Sequence, residues 1–276
     1  MTEPDWREIN RAHWDEMVPI HVGPRGYGLA DLRAGQGRLN AIEEAELGAV
    51  AGKRLLHLQC HFGRDTLILA QRGATVVGLD FSAPAIDVAR SLAAELGLTD
   101  RTRFVQSDLY DARTAIPEPA SFDIVYVTWG ATIWLPDIGR WSEIVAYFLK
   151  PGGVLYFAEA HPVAYVLDDA AKQPDGRPGF FAPYFQREAT VMQETQDYVD
   201  KTATVKNATT HTWIHPLGDV ITGLIGAGLR LDWLREHDAV TWQMFKQLVE
   251  GDDGAFRWPD KPWLPLAYSL KATRPG

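Results

Sequence analysis

Residues 54–82, RLLHLQCHFGRDTLILAQRGATVVGLDFS, decide the fold. An apolar run from Arg54 to Leu58 leads into a tight turn ending at Gly63, a helical stretch from about Arg64 to Arg72, and a second apolar run from Thr75 to Leu79 that closes on Asp80. Strand, turn, helix and strand make one βαβ unit, with a right-handed crossover and parallel strands. Its first turn lies at the carboxyl end of the sheet, where the helix amino terminus offers unpaired N–H groups and a partial positive charge. Asp80 follows Gly63 by seventeen residues, near the spacing at which such an acid accepts the ribose hydroxyls of a nucleoside. Turn and acid together point to an adenosine-containing cofactor.

Read with FVQSDLYD (104–111) and FDIVYVTWG (122–130), the segments LLHLQCHFGRDTLILA (55–70) and VVGLDFS (76–82) resemble the class I S-adenosylmethionine (SAM)-dependent methyltransferases, from about Arg54 to Ala160. The resemblance implies a Rossmann-like three-layer α/β sandwich with a seven-stranded, mostly parallel sheet whose last strand is antiparallel. It also implies SAM as cofactor and S-adenosylhomocysteine as product. The residues implied in cofactor binding are Leu58, Gln59, Cys60, His61 and Gly63 in the turn, Asp80, Phe81 and Ser82 after the second strand, Asp108 and Leu109 after the third, and Thr128 after the fourth. Asp108 either accepts from the adenine amino group or caps a turn.

The turn departs from the family's usual pattern of an acid followed by Gly-x-Gly-x-Gly. His57 stands at the acid, Gln59 and His61 at the first two glycines, and only Gly63 remains. Side chains at 59 and 61 narrow the place where a ligand meets bare backbone. His57 brings no negative charge for an amino group, so that role passes to another residue or to water.

Working outward, residues 1–50 read as a helical cap and 51–276 as the methyltransferase domain, with a lid inserted at 162–212. Trp6, Ile9, His13, Trp14 and Met17 recur at helical spacing, and Pro19 with the run Gly23 to Gly28 breaks that helix. A second helix is expected over about Gly37 to Leu47. Trp14 and Tyr27 either cover a sulfonium with a π face or anchor the helix on the core. Ser82, Pro84 and Gly97 punctuate a helix between them. In the insertion, FFAPYF (180–185) is an aromatic loop, and the alternation in residues 188–213 predicts an antiparallel hairpin. A strand from Leu229 to Leu234, a short helix from Trp242 to Val249 and a last strand from Leu266 to Ala272 complete the expectation.

A chain of 276 residues, 46% hydrophobic, buries a full core. Its net charge of -9 and the lack of any Lys/Arg-rich run argue against a nucleic-acid partner. A single cysteine, Cys60, fits a reducing compartment, and no run of about 18 apolar residues marks a membrane span. A cytoplasmic monomer or homodimer acting on a small-molecule methyl acceptor is expected.

Methyl transfer needs a base only where the acceptor must lose a proton. His161 just after the fifth strand, His215 beside Trp213, and His13 beside Trp14 are the candidates in that order, each otherwise a histidine bonded to backbone. His57, within a strand, reads as structural. His211 and His215 have ligand spacing, but Pro216 and the absence of a carboxylate cluster argue against metal. The ten tryptophans favour a flat, apolar acceptor, and oxygen ahead of nitrogen or carbon as the methylated atom. Two rivals stand beside this reading: a protein using SAM for a reaction other than methylation, such as a cyclisation, and a non-catalytic nucleoside-binding protein.

Overall fold

The computed structural model describes residues 5–276; the first four residues of the expected cap lie outside them. Three helices come first: α1 (Trp6–His21), α2 (Ala30–Arg33) and α3 (Ala41–Glu46). Asp5 caps α1 by accepting the Arg7 N–H. The helix does not stop at Pro19 as expected. Pro19 falls in the last turn, where its missing N–H removes only one bond, and α1 runs on to His21. The second expected helix is the shorter α3, closed by a capping box between Asn40 and Glu43.

Next come β1 (Arg54–Leu58), α4 (Arg64–Gln71) and β2 (Thr75–Asp80), with β1 and β2 parallel from Arg54↔Thr75 to Leu58↔Leu79. Both strands are buried almost throughout, as continuous apolar runs in the middle of a parallel sheet must be. The chain continues through α5 (Ala83–Glu95), β3 (Thr102–Gln106), α6 (Ala112–Ala115), β4 (Phe122–Thr128), α7 (Ile138–Phe148) and β5 (Leu149–Ala160). After the insertion come α8 (Leu217–Gly226), β6 (Arg230–His237) and β7 (Ala267–Thr273). The seven strands lie in the order β6-β7-β5-β4-β1-β2-β3, with β7 antiparallel to both its neighbours.

Apolar clusters fill both faces of the sheet: Trp141, Ile144, Phe148, Val220 and Leu224 of α7 and α8 on one, Leu67, Ile68, Ile86 and Ala89 of α4 and α5 on the other. The topology reverses between β1 and β4, which opens the crevice for a ligand at their carboxyl ends.

The insertion forms the expected hairpin, Thr190–Gln193 paired with Thr209–Thr212. It docks on α1: the Asn10 side chain donates to His211 O and accepts from His211 N, each at 2.8 Å, and Glu16 accepts the backbone N–H groups of Lys206 and Asn207. The helix expected over Trp242 to Val249 does not form. Buried Phe245 and Leu248 hold that segment in turns, and Val249–Glu250 joins a small sheet with Ala239–Val240 and Phe256–Arg257. Among the described residues no helix is long and apolar enough to cross a membrane.

Candidate active site

The turn after β1 keeps the backbone of a glycine-rich loop without its glycines. Gln59, His61 and Gly63 all have positive φ, of 57°, 50° and 77°. The left-handed region costs a side-chain-bearing residue roughly 1–2 kcal/mol, so Gln59 and His61 are held there by their surroundings. Gly63 cannot be replaced so cheaply: a Cβ would come within 2.7 Å of the Phe104 ring and 3.0 Å of Ala89 Cβ. Asp80 grips the same turn from β2. One carboxylate oxygen accepts the His61 N–H at 2.8 Å and the other the Ser82 N–H at 2.9 Å, while Ser82 Oγ caps α5. Burial raises the Asp80 carboxyl to about 6 against these two N–H bonds. His57 is structural as expected, bonded to Thr66 Oγ1 at 2.8 Å and pushed down to about 3 by burial. Leu58 and Cys60 are buried beneath the turn.

Over this turn lies α1. The Trp14 ring meets the His61 ring edge-on at 5.3 Å and the Trp134 ring at 5.2 Å. His61 Nε2 bonds His21 Nδ1, and His21 Nε2 bonds Asp197 Oδ2, both at 2.8 Å. The Gln59 amide donates to Ala131 O at 2.7 Å. The imidazole and the carboxamide expected to narrow the turn thus tie it to α1, to the insertion and to the loop after β4. Asp108 caps the short turn at Leu109–Asp111 through the Tyr110 N–H at 2.8 Å, and its other oxygen faces Arg7 of α1 at 3.4 Å. Of the two readings, the capping bond is present. Phe81 stays partly exposed after β2, Leu109 is buried beside Asp108, and Thr128 is buried at the end of β4 opposite Ala158.

Beyond β4 and β5 a small pocket is lined by Thr132, Glu159, Tyr165, Trp213, His215 and Tyr268. Glu159 shapes it. Its carboxylate accepts the backbone N–H groups of Gly130, Ala131, Thr132 and Ala160 at 2.6 to 3.1 Å and the Tyr165 hydroxyl at 3.2 Å. Burial raises its pKa even so. A carboxylate so saturated builds the loop.

The three candidate histidines separate here. His215 lines the pocket, donating Nε2–H to Leu135 O at 2.7 Å, and burial lowers its pKa, so the ring is neutral near pH 7. His161 is turned away: Nδ1 accepts the Val163 N–H at 3.1 Å and Nε2 faces Glu236 at 3.1 Å. His13 donates to Asn207 O at 2.8 Å and faces Glu194 at 3.4 Å, buried between α1 and the hairpin. His211 lies on a strand and His215 beyond its end, so their spacing does not place them on one helical turn.

Sequence reasoning missed Asp15, His21, Glu43 and Asp197. Asp15 follows Trp14 on α1 and has a buried oxygen with no hydrogen-bond partner, as has the Gln59 amide oxygen. The negative charge of Asp15 also acts to raise the pKa of Asp80. Glu43, fully buried, accepts from the Tyr126 hydroxyl and from Trp129 Nε1, the latter at 2.8 Å, and so fixes Trp129 in its left-handed conformation after β4. The partners of His21 and Asp197, and those of Glu43 at this site, lie far along the chain, so apart from the Asn40–Glu43 capping box no local signal marked these residues.

The site therefore holds two orphaned acceptor oxygens, of Asp15 and Gln59, beside a buried carboxylate whose pKa burial raises to about 6. A ligand carrying positive charge, an ammonium group and ribose hydroxyls supplies what they lack, so the residues present fit SAM. Asp80, Asp15, Gln59 and His61 are the groups that would hold it.

Comparison with known proteins agrees. A family profile described as a methyltransferase domain matches residues 55–153. Methyltransferase GfsG of Streptomyces halstedii is 31% identical over 165 residues, 59% of this chain and 58% of that protein. A ubiquinone biosynthesis O-methyltransferase of Stutzerimonas stutzeri is 31% identical over 179 residues, 60% of this chain and 69% of that protein. The matched region thus spans somewhat more than half the length of these relatives. Among solved structures, a SAM-dependent methyltransferase from Listeria monocytogenes superposes with a TM-score of 0.60 at 16% identity, covering 84% of this chain and 96% of its own. By fold, ordered motifs and relatives, this chain belongs to the class I SAM-dependent methyltransferases.

Proposed function

We propose that this protein transfers the methyl group of SAM to an oxygen of a small, aromatic or otherwise apolar molecule. The observation that carries the reading is the aromatic lining, Tyr165, Trp213, His215 and Tyr268, of the pocket beyond β4 and β5, which also borders the loop after β4 that Gln59 of the cofactor turn bonds. The pocket as it stands is only about 10 Å³, so a flat apolar acceptor, which such aromatic lining suits, enters when the lid at residues 162–212 moves aside. Oxygen is favoured because a relative matched over 69% of its length is named an O-methyltransferase.

When bound, SAM supplies an activated methyl group together with its leaving group. The chain has to align and to exclude water, which is worth roughly 7 to 11 kcal/mol for well-placed reactants. Trp14 and Trp134 roof the turn, Glu159 rigidifies the loop that carries Thr132 and Ile133, and residues 162–212 act as a lid. Neutral His215 is the base for an acceptor hydroxyl, ahead of His161 and His13, whose ring nitrogens are engaged elsewhere. A small-molecule acceptor, no nucleic acid and a monomer or homodimer complete the proposal.

Incubation with SAM and a panel of hydroxylated aromatic and apolar compounds tests it. Release of S-adenosylhomocysteine with a matching gain of one methyl in an acceptor is expected, and His215→Asn lowers the rate for phenols most. Conversion of a compound with no S-adenosylhomocysteine released favours the rival in which SAM assists a cyclisation. Binding of neither SAM nor S-adenosylhomocysteine rules out both.

A further inference from the structure

Two buried side chains, Asp197 and His21, and half-buried His61, from distant parts of the chain, form a continuous relay that ends in the cofactor turn. Asp197 lies in the insertion, His21 ends α1, and His61 stands at the second glycine position of the turn. Asp197 and His21 are 1% and 0% exposed. Asp197 Oδ1 accepts the Val199 N–H at 2.7 Å and also the Asp200 N–H, leaving Oδ2 for His21 Nε2 at 2.8 Å. His21 Nδ1 then meets His61 Nε2 at 2.8 Å. Edge contacts from Trp14, Tyr27 and Tyr198 surround His21.

The proton positions follow from donors and acceptors. A carboxylate already accepting two N–H groups stays ionised, so the proton between it and His21 sits on His21 Nε2. In neutral His21, Nδ1 is then an acceptor, and His61 donates its Nε2–H. That leaves the lone pair of His61 on Nδ1. The alternative, a His21 imidazolium donating to both sides, would put a buried cation beside the site of a cationic cofactor.

We propose that Asp197 and His21 are positioning residues for cofactor binding, holding His61 in the Nε2–H tautomer so that its Nδ1 lone pair serves as an acceptor at the turn. The relay passes the polarisation of an ionised carboxylate through two imidazoles to a turn in which His57 takes the place of the usual acid. A carboxylate behind an imidazole raises its basicity in this way at metal centres. The proposal rests on the reading of the turn as the cofactor site. It also ties the insertion to the cofactor with no contact between them.

The test uses the full-length protein with histidine nitrogen labelling and calorimetric titration. Long-range proton–nitrogen spectra should show His21 and His61 both neutral and protonated at Nε2. Asp197→Asn keeps the size of the side chain but turns an amide N–H toward His21, which forces the opposite tautomer. Both rings should then carry the proton on Nδ1, and affinity for SAM and S-adenosylhomocysteine should fall about tenfold or more, the effect typical of a carboxylate behind an imidazole ligand. His21→Gln should weaken binding to the same degree, and Asp197→Glu should restore part of it. Asp200→Asn, which alters the insertion outside the relay, should leave affinity within about twofold, below the tenfold loss expected when the relay is cut.

A doubly protonated His21 or an Nδ1–H His61 in the wild type overturns the proposal, and that spectrum needs no variant to fold. Unchanged affinity in Asp197→Asn overturns it while leaving the turn as the binding site. A wild type that binds neither ligand overturns the reading of the turn itself.

Discussion

Asp80→Asn probes the balance on which the cofactor site depends. In the free protein the Asp80 carboxyl is raised from 3.8 to about 6 by burial, and a cationic ligand favours its ionised form. Binding of SAM should therefore weaken as pH falls through 6. With a pKa of about 6, roughly nine-tenths of the free protein is ionised at pH 7 and roughly one-tenth at pH 5, so affinity at pH 5 should be about tenfold lower, or about 1.4 kcal/mol. The same group acts on stability with the opposite trend. Its folded pKa lies above the unfolded value, so its contribution is fully present below 3.8 and is lost as pH rises through about 6, to a total of about 3 kcal/mol. The amide, which does not titrate, would remove both dependences. It would also leave one of the two N–H donors, from His61 or Ser82, facing an amide N–H, a penalty of about 1–3 kcal/mol. Calorimetric titration of SAM from pH 5 to 8 on both proteins measures the first effect, and urea unfolding over the same range the second. A flat wild-type binding profile, or an equally sloped one in Asp80→Asn, refutes the reasoning.

Other perturbations read other parts of the structure. Gly63→Ala puts a Cβ against Phe104 and Ala89 at positive φ and should cost about 2–5 kcal/mol in urea unfolding, the sum of a left-handed penalty and overpacking. Glu159→Ala strips the acceptor from the N–H groups of Gly130, Ala131, Thr132 and Ala160. It should cost at least about 3 kcal/mol, since each buried donor left unpaired costs about 1–3 kcal/mol, and hydrogen exchange should show residues 130–135 opening. Burial raises the Glu43 carboxyl to about 7 from 4.5, so wild-type stability should fall as pH rises between those values. Glu43→Gln should flatten that part of the stability profile measured in urea.

The sheet was legible because its strands are local events. Five apolar runs, closed in turn by the Gly63 turn, Asp80, Asp108, Thr128 and the Glu159–Pro162 segment, needed only neighbouring residues to declare themselves, and the hairpin at 190–212 showed its period of two. Local reading failed where packing overrode local preference. Pro19 sits so near the end of α1 that the helix absorbs it, and Phe245 and Leu248 are drawn into the core from turns, with no helix between Trp242 and Val249.

By itself the sequence determined that a strand, a turn and an acid at residues 54–80 meet at the carboxyl end of a parallel sheet, because the geometry of a βαβ unit is set by chain direction and handedness. Only the tertiary structure decided what stands around that junction. His21 and Asp197 are 176 residues apart, Asn10 and His211 are 201 apart, and no periodicity along the chain records such meetings. They exist because α1 must bury its apolar face, and the hairpin that covers it brings a carboxylate to the one place where two imidazoles need it.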